Sequence, residues 1–402
     1  MTNNINLPVE ILAYTFSFLE PEELARIARV SKEWNEVQKI EELWKRHCLD
    51  RLKNLNNVEP YQNSWKEHFK ITNNWMHAKA EKNSFSSYCK DWDQSHGFTV
   101  LEDNTPLEVY SENAMSYAIR DFLTDQITPI DQYFQDMIVC STIHNKTWVA
   151  LTNHGEILFF DLLTGKYLNK ITPSEEHMNL SRAKIKCTDQ EVITAYNKEI
   201  KIWDINTGLL KETINLPELG EILTLTSTPN FFICTTYTGK FNTFSIRKRD
   251  HEISKMENLF FPSAGIADSD PYVAIIYQEE KDGKTINKIK IFEDTGEKLN
   301  LLHTLETFNP QTTAYSGSVY IHKNWLLASK DGKLNVYDIK TGKTLLTIQH
   351  NKISVAFCSN TTQLFMQTAL GNPFGEQEYQ YTLYNFERPI TNLNAPKKFI
   401  IQ

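Results

Sequence analysis

Three stretches of this 402-residue chain align with one another, and that self-similarity limits the possible folds more than any other feature. They cover residues 148–161, 232–245 and 325–338. In each, an aromatic residue (Trp148, Phe232, Trp325) precedes a glycine (Gly155, Gly239, Gly332) by seven positions. A second aromatic (Phe160, Phe244, Tyr337) follows that glycine by five. The layout predicts strand, tight turn and strand, because glycine adopts the positive φ that such a turn needs. Thr-Gly pairs at 164–165, 207–208, 295–296 and 341–342 mark the next turn, and an apolar strand such as Leu345-Leu346-Thr347-Ile348 follows.

The aromatic before that second turn serves as a marker: Tyr110, Phe160, Trp203, Phe244, Phe292, Tyr337 and Tyr384. Its steps are 50, 43, 41, 48, 45 and 47 residues. A period of about 46 belongs to propeller blades, which are four-stranded units arranged in a ring. Trp203-Asp204 is a literal WD dipeptide, and Phe160-Asp161 and Tyr337-Asp338 are close variants. Residues 76–402 therefore resemble a divergent WD-repeat β-propeller, and seven blades are expected. The Gly-His element of such repeats is nearly absent, with Gln349-His350-Asn351 as its remnant.

The first 52 residues have another character, with no glycine and few β-branched residues after Ile11. Pro8 suits the start of a helix over 9–19, and Pro21 starts a second, with Glu22 and Glu23 where the helix dipole favours acids. Ser31 can cap a third helix carrying Trp34, Val37, Ile40, Leu43 and Trp44. So many apolar residues exceed what a small three-helix unit can hide, and an exposed apolar patch marks a partner or a neighbouring domain. Residues 53–75 read as a helical connector, with capping-box spacing at Ser64 and Glu67 and apolar anchors at Trp65, Phe69 and Trp75.

The runs Leu7-Pro8-Val9-Glu10-Ile11-Leu12, Phe16-Ser17-Phe18-Leu19, Pro21-Glu22-Glu23-Leu24, Val30-Ser31-Lys32-Glu33-Trp34 and Leu43-Trp44-Lys45 resemble an F-box in order and spacing. Ser31 departs from a frequent cysteine of that family. The resemblance implies docking on the Skp-type adaptor of a Skp–cullin–F-box ubiquitin ligase, with Leu7, Pro8, Ile11, Leu12, Leu24 and Trp34 at the interface. The fold expected is thus α+β in separate domains: F-box over 1–52, connector over 53–75, propeller over 76–402. The function expected is a substrate receptor whose propeller binds a target protein for ubiquitination. The alternative is an F-box scaffold, or a bacterial effector mimic, that binds the adaptor without promoting ubiquitination.

Composition narrows the classes further. The net charge of -8, from 42 basic and 50 acidic residues, argues against a nucleic-acid partner. No stretch has the apolar length of a membrane span or the pattern of a signal peptide, so a cytoplasmic or nuclear setting is expected, or a host cytoplasm for a secreted effector. Six scattered cysteines read as reduced. No nucleophile–base, phosphate-loop or zinc-ligand pattern is present, so the chain is expected to be a non-catalytic component without cofactor or metal. On the propeller, Arg182, Lys184 and Lys186 alternate along one strand and share a face, while Ala183, Ile185 and Cys187 share the other. That cationic row is the candidate target site, because phosphate groups favour charge-assisted hydrogen bonds. Arg247-Lys248-Arg249 reads as a solvated turn.

Overall fold

A computed structural model describes residues 7–51, 63–76, 81–88, 95–101, 105–113, 116–130, 137–173, 183–238, 241–259, 266–269, 271–281, 284–308, 319–322, 325–330, 333–349, 353–359, 363–370 and 378–385. The chain divides into two compact units, the first built mainly from residues 1–81 and the second mainly from residues 82–384.

The first unit is helical. Helix α1 (Val9–Phe16) starts after Pro8, and α2 (Pro21–Ile27) starts at Pro21, where the Glu20 N–H donates to the Glu23 carboxylate at 2.9 Å. Ser31 Oγ accepts from the Trp34 N–H at 3.2 Å and caps α3 (Lys32–Val37). The single third helix expected through Trp44 is in fact two, because the chain breaks before α4 (Glu41–Arg51). That break frees the Gln38 carbonyl, which accepts the Trp44 indole N–H at 2.7 Å and lets this large ring turn inward. The connector ends in α5 (Trp65–Met76), capped by Ser64, whose hydroxyl accepts the Glu67 N–H at 3.3 Å and donates to Glu41 at 3.1 Å. Phe69 of α5 lies 5.6 Å from the Trp44 ring. Trp65 and Phe69 thereby join Leu12, Phe16, Leu24 and Val37 in one core, so α5 is part of this unit's packing.

The second unit is all β. Among the described residues its strands form seven four-stranded antiparallel sheets. Six are contiguous in sequence, here blades 1 to 6: residues 95–129, 138–171, 184–215, 221–259, 266–308 and 319–349. The remaining sheet is composite, with strands from 353–385 closed by Glu81–Tyr88 as its outermost member. The expectation of seven blades is corrected to this extent: six repeats are continuous, and the last sheet is shared by the two ends of the domain. The first strand of each sheet touches the first strand of the next, and the composite sheet touches both blade 6 and blade 1, which closes the ring.

Alternation along the strands sends apolar side chains to both faces of each blade, where they meet the neighbouring blade. Val109, Tyr117 and Ile119 of blade 1 pack with Trp148, Ala150, Leu158 and Phe160 of blade 2. Trp148 and Phe160 are directly paired across strands, with ring centroids 5.3 Å apart and no exposure. Six of the seven markers sit on third strands, but Tyr110 is on the second strand of blade 1. Arg120 holds the third-strand position there, with its guanidinium 4.9 Å from the centre of the Tyr110 ring. The aromatic surface has moved to the adjacent strand, which is why the first step was misread as 50 residues.

Candidate functional site

The repeated turn between third and fourth strands is the most regular polar feature of the propeller. Asp161 accepts from the backbone N–H groups of Leu163 and Thr164 at 3.0 and 2.7 Å and from the Thr164 hydroxyl at 2.8 Å. Asp204 repeats the pattern with Asn206 and Thr207. Asp121 does so with Leu123 and Thr124. The fifth residue is in the left-handed region, with φ 67° at Gly165 and 57° at His251. These bonds hold the Asp204 carboxyl down at about 2, the Thr207 N–H contributing most and Lys211 next.

Blade 4 keeps the same backbone turn with the side-chain roles exchanged. Arg247 stands where the aspartate stands and Asp250 where the threonine stands, and the two pair at 2.9 Å. The Arg247 guanidinium brings Asp250 down to about 2. Arg247 also bonds Glu252, and Arg249 makes two 2.7 Å bonds to Glu297 on blade 5. The segment read as a solvated turn is therefore an ionic clasp between two blades.

The expected cationic row is only partly assembled. Arg182 lies outside the described residues. Lys184 and Lys186 are half-buried on the first strand of blade 3, which contacts the first strands of blades 2 and 4. Cross-strand pairing sets Lys184 opposite Ala195 and Lys186 opposite Ile193, so both lie on the face turned to blade 4. Burial pushes the Cys140 thiol up to about 12, with the Lys184 charge pulling the other way. A separate opening of about 40 Å³ lies between blades 2 and 3, lined by Leu151, Ile157, Ala183, Lys201 and Trp203 among others.

The helical unit sorts the six expected interface residues into two sets. Leu12 and Leu24, 6 % and 0 % exposed, belong to the core, and Trp34 is half-buried, with its ring 5.2 Å from Phe16. Leu7, Pro8 and Ile11 are exposed. Four further apolar residues, Val9, Tyr14, Phe18 and Val30, are exposed as well, at 55–67 %. Within α1, Ile11 and Tyr14 lie about 60° apart around the axis at 100° per residue, and Leu7 and Phe18 flank the two ends of this helix. Tyr14 and Phe18 touch edge to face at 5.0 Å. Their spacing was visible in the sequence, but nothing local distinguishes this stripe from the Leu12–Phe16 stripe that the other helices cover.

An F-box-like family model matches residues 5–50. Among curated proteins, a mitogen-activated protein kinase kinase kinase A of Dictyostelium discoideum is 29 % identical over 91 residues, which is 22 % of this chain. The chain spans only 10 % of the length of that relative. Among solved structures, the RRP9 WD40 repeats superpose with a TM-score of 0.52 at 8 % identity, covering 75 % of this chain and 97 % of that one. U3-55K superposes with a TM-score of 0.53 at 10 % identity, covering 75 % and 98 %. At such identities the likeness is one of fold. No described helix is long and apolar enough to cross a membrane. The chain thus carries an F-box-like segment over residues 5–50 and a β-propeller with the fold of the solved WD40 repeats.

Proposed function

We propose that the chain is the substrate-recognition subunit of a Skp–cullin–F-box ubiquitin ligase, acting in the cytoplasm or nucleus and having no active site of its own. The exposed stripe of Leu7, Ile11, Tyr14 and Phe18, inside the segment that matches the F-box-like model, carries this reading. Large apolar side chains on a short helix and at its two ends suit a groove on a partner, where a few buried anchors supply most of the affinity. The propeller then offers loop-rich faces for a target protein. Holding that target beside the ligase raises the effective concentration of its lysines, which is the whole chemical contribution asked of this chain.

Purified Skp-type adaptor should bind the full chain. Ile11→Ala with Tyr14→Ala should weaken that binding by about 2 kcal/mol or more, with the melting of the propeller unchanged. Equal binding by the double variant would reject the stripe as the interface. Recovery of a cullin, and a target protein that accumulates when the propeller is removed, would separate a ligase receptor from an adaptor-binding scaffold or mimic.

A further inference from the structure

One wall of a groove between blades 5 and 6 is the free edge of a strand. Across the six contiguous blades the fourth, outermost strand has three to seven residues, except in blade 5, where Leu299–Phe308 has ten. Among the described residues this strand pairs only with Lys284–Asp294, so the N–H and C=O groups along its outer edge stand open. Extra residues at Leu302 and Thr307 interrupt the pairing and leave His303–Glu306 as the regular run between them. A groove of about 480 Å³ lies against this run, lined by Thr304, Leu305, Glu306, Asn335, Thr344 and Thr347 among others. Leu305 packs against the core shared with blade 6, and its neighbours Thr304 and Glu306 point to the opposite face. A void that touches all three runs along the edge of the strand. At one end the His303 ring bonds the Lys340 carbonyl at 2.6 Å and joins the two blades.

The far wall is polar where blade 2 is apolar. Tyr337 pairs with Thr344 as Phe160 pairs with Tyr167, and Asn335 with Thr347 as Leu158 with Lys170. Asn335 and Thr344 therefore occupy the places of Leu158 and Tyr167. In blade 2, Leu158 belongs to the core shared with blade 1, and the Tyr167 ring lies 5.9 Å from Phe160. Asn335 is 8 % exposed, and its side-chain carbonyl accepts the Thr347 hydroxyl at 2.8 Å. Its amide N–H groups have no partner among the described residues and are left to donate into the groove. Charge does not choose the ligand, because the groove holds one carboxylate, Glu306, 4.0 Å from Lys288, and one ammonium, Lys333. The open backbone does, since an extended chain presents N–H and C=O groups at the spacing of a strand edge. We propose that the groove takes a short extended segment of another protein as a fifth strand of blade 5, with Ser, Thr or Asn at alternate positions meeting Asn335 and Thr347. The interruptions at Leu302 and Thr307 suit one short strand and work against edge-to-edge pairing with a second copy of the chain. The site is independent of the adaptor stripe.

The test uses the full chain and a display library of random peptides of about eight residues. Selected peptides should carry Ser, Thr or Asn at every second position. Methylating their backbone nitrogens one at a time should cost about tenfold in affinity at alternate positions and little at those between, since every second N–H faces the strand edge. Asn335→Leu and Thr344→Tyr, which install the residues of blade 2, should each cost about tenfold as well. Thr344 is exposed, so Thr344→Tyr should leave the melting temperature unchanged even if Asn335→Leu lowers it. Lys166→Ser on blade 2 should change neither binding nor melting. A library without binders, binders that ignore Thr344→Tyr, or methylation losses that lack a two-residue period would overturn the proposal. So would a dimer in light scattering that Thr344→Tyr dissolves, because it gives the edge to a second copy of the chain.

Discussion

The turn aspartates show how single residues hold the propeller and how much of that was readable. Asp204 and its WD dipeptide stood out in the sequence, as did the Thr-Gly pair behind it. Asp204 titrates near 2 in the folded chain, because two backbone N–H groups, a hydroxyl and Lys211 all favour the carboxylate. In the unfolded chain it returns to about 3.9. The folded value is the lower one, so its contribution to stability is present in full above about pH 4 and disappears as pH falls towards 2. Asp204→Asn should flatten the melting temperature against pH over that window, and a carboxyl-carbon titration should put the wild-type midpoint near 2. A midpoint near 4 would mean that the turn does not hold the charge. Gly165 tests the same turn sterically. A Cβ there would sit 2.4 Å from the Pro129 carbonyl oxygen of blade 1, at a φ of 67°. Gly165→Ala should therefore cost about 1–3 kcal/mol, read by denaturant unfolding. Arg247 and Asp250 were not legible in this way. Matching residue types finds an acid followed by a threonine, and blade 4 keeps the partnership while exchanging donor and acceptor.

Elements were legible where their signals are local and missed where packing decides. The starts of α1 and α2 and the serine caps of α3 and α5 follow from Pro8, Pro21, Ser31 and Ser64, each acting within one turn of its own position. Ser31→Ala should cost about 1 kcal/mol of the helical unit's stability, measured by its thermal unfolding. The cost should exceed the helix-propensity gain of alanine because the Trp34 N–H loses its partner. The split between α3 and α4 was hidden, since the apolar spacing from Trp34 to Trp44 continues across it. The break leaves the Gln38 carbonyl to accept the Trp44 indole N–H, a bond that goes with Trp44 being drawn into a core completed by Phe69 of α5. The same non-local packing divides the six expected interface residues. Leu12 and Ile11 are equally apolar and adjacent, and only the positions of the other helices make one core and the other surface. Lys184 and Lys186 show the converse. Their alternation and their place on an innermost strand were readable, but the blade they face depends on the ring.

At the scale of the whole molecule, a ring has a weakness that a single repeat does not reveal. Six blades are contiguous, and their cores pass from blade to blade, so each is supported on both sides. Closure depends on the composite sheet, in which the strand Glu81–Tyr88 covers the outer edge of the strand Glu378–Asn385. Repeat periodicity counts markers and cannot see that these partners lie some three hundred positions apart in the chain. Bringing them together has a loop-closure cost that grows slowly with separation, so the closing strand stabilises the ring once the blades between have formed. Without it, the edge of 378–385 would be left as an open ladder, and the ring would lose its contacts on both sides of that sheet. Removing residues 1–80 should therefore leave the β unit with a single cooperative melting transition, while removing 1–88 should lower and broaden that transition. Differential scanning calorimetry on the two shortened chains compares them directly. If both melt alike, the ring does not rely on its two ends for closure, and blades 1 to 6 hold the disc by themselves.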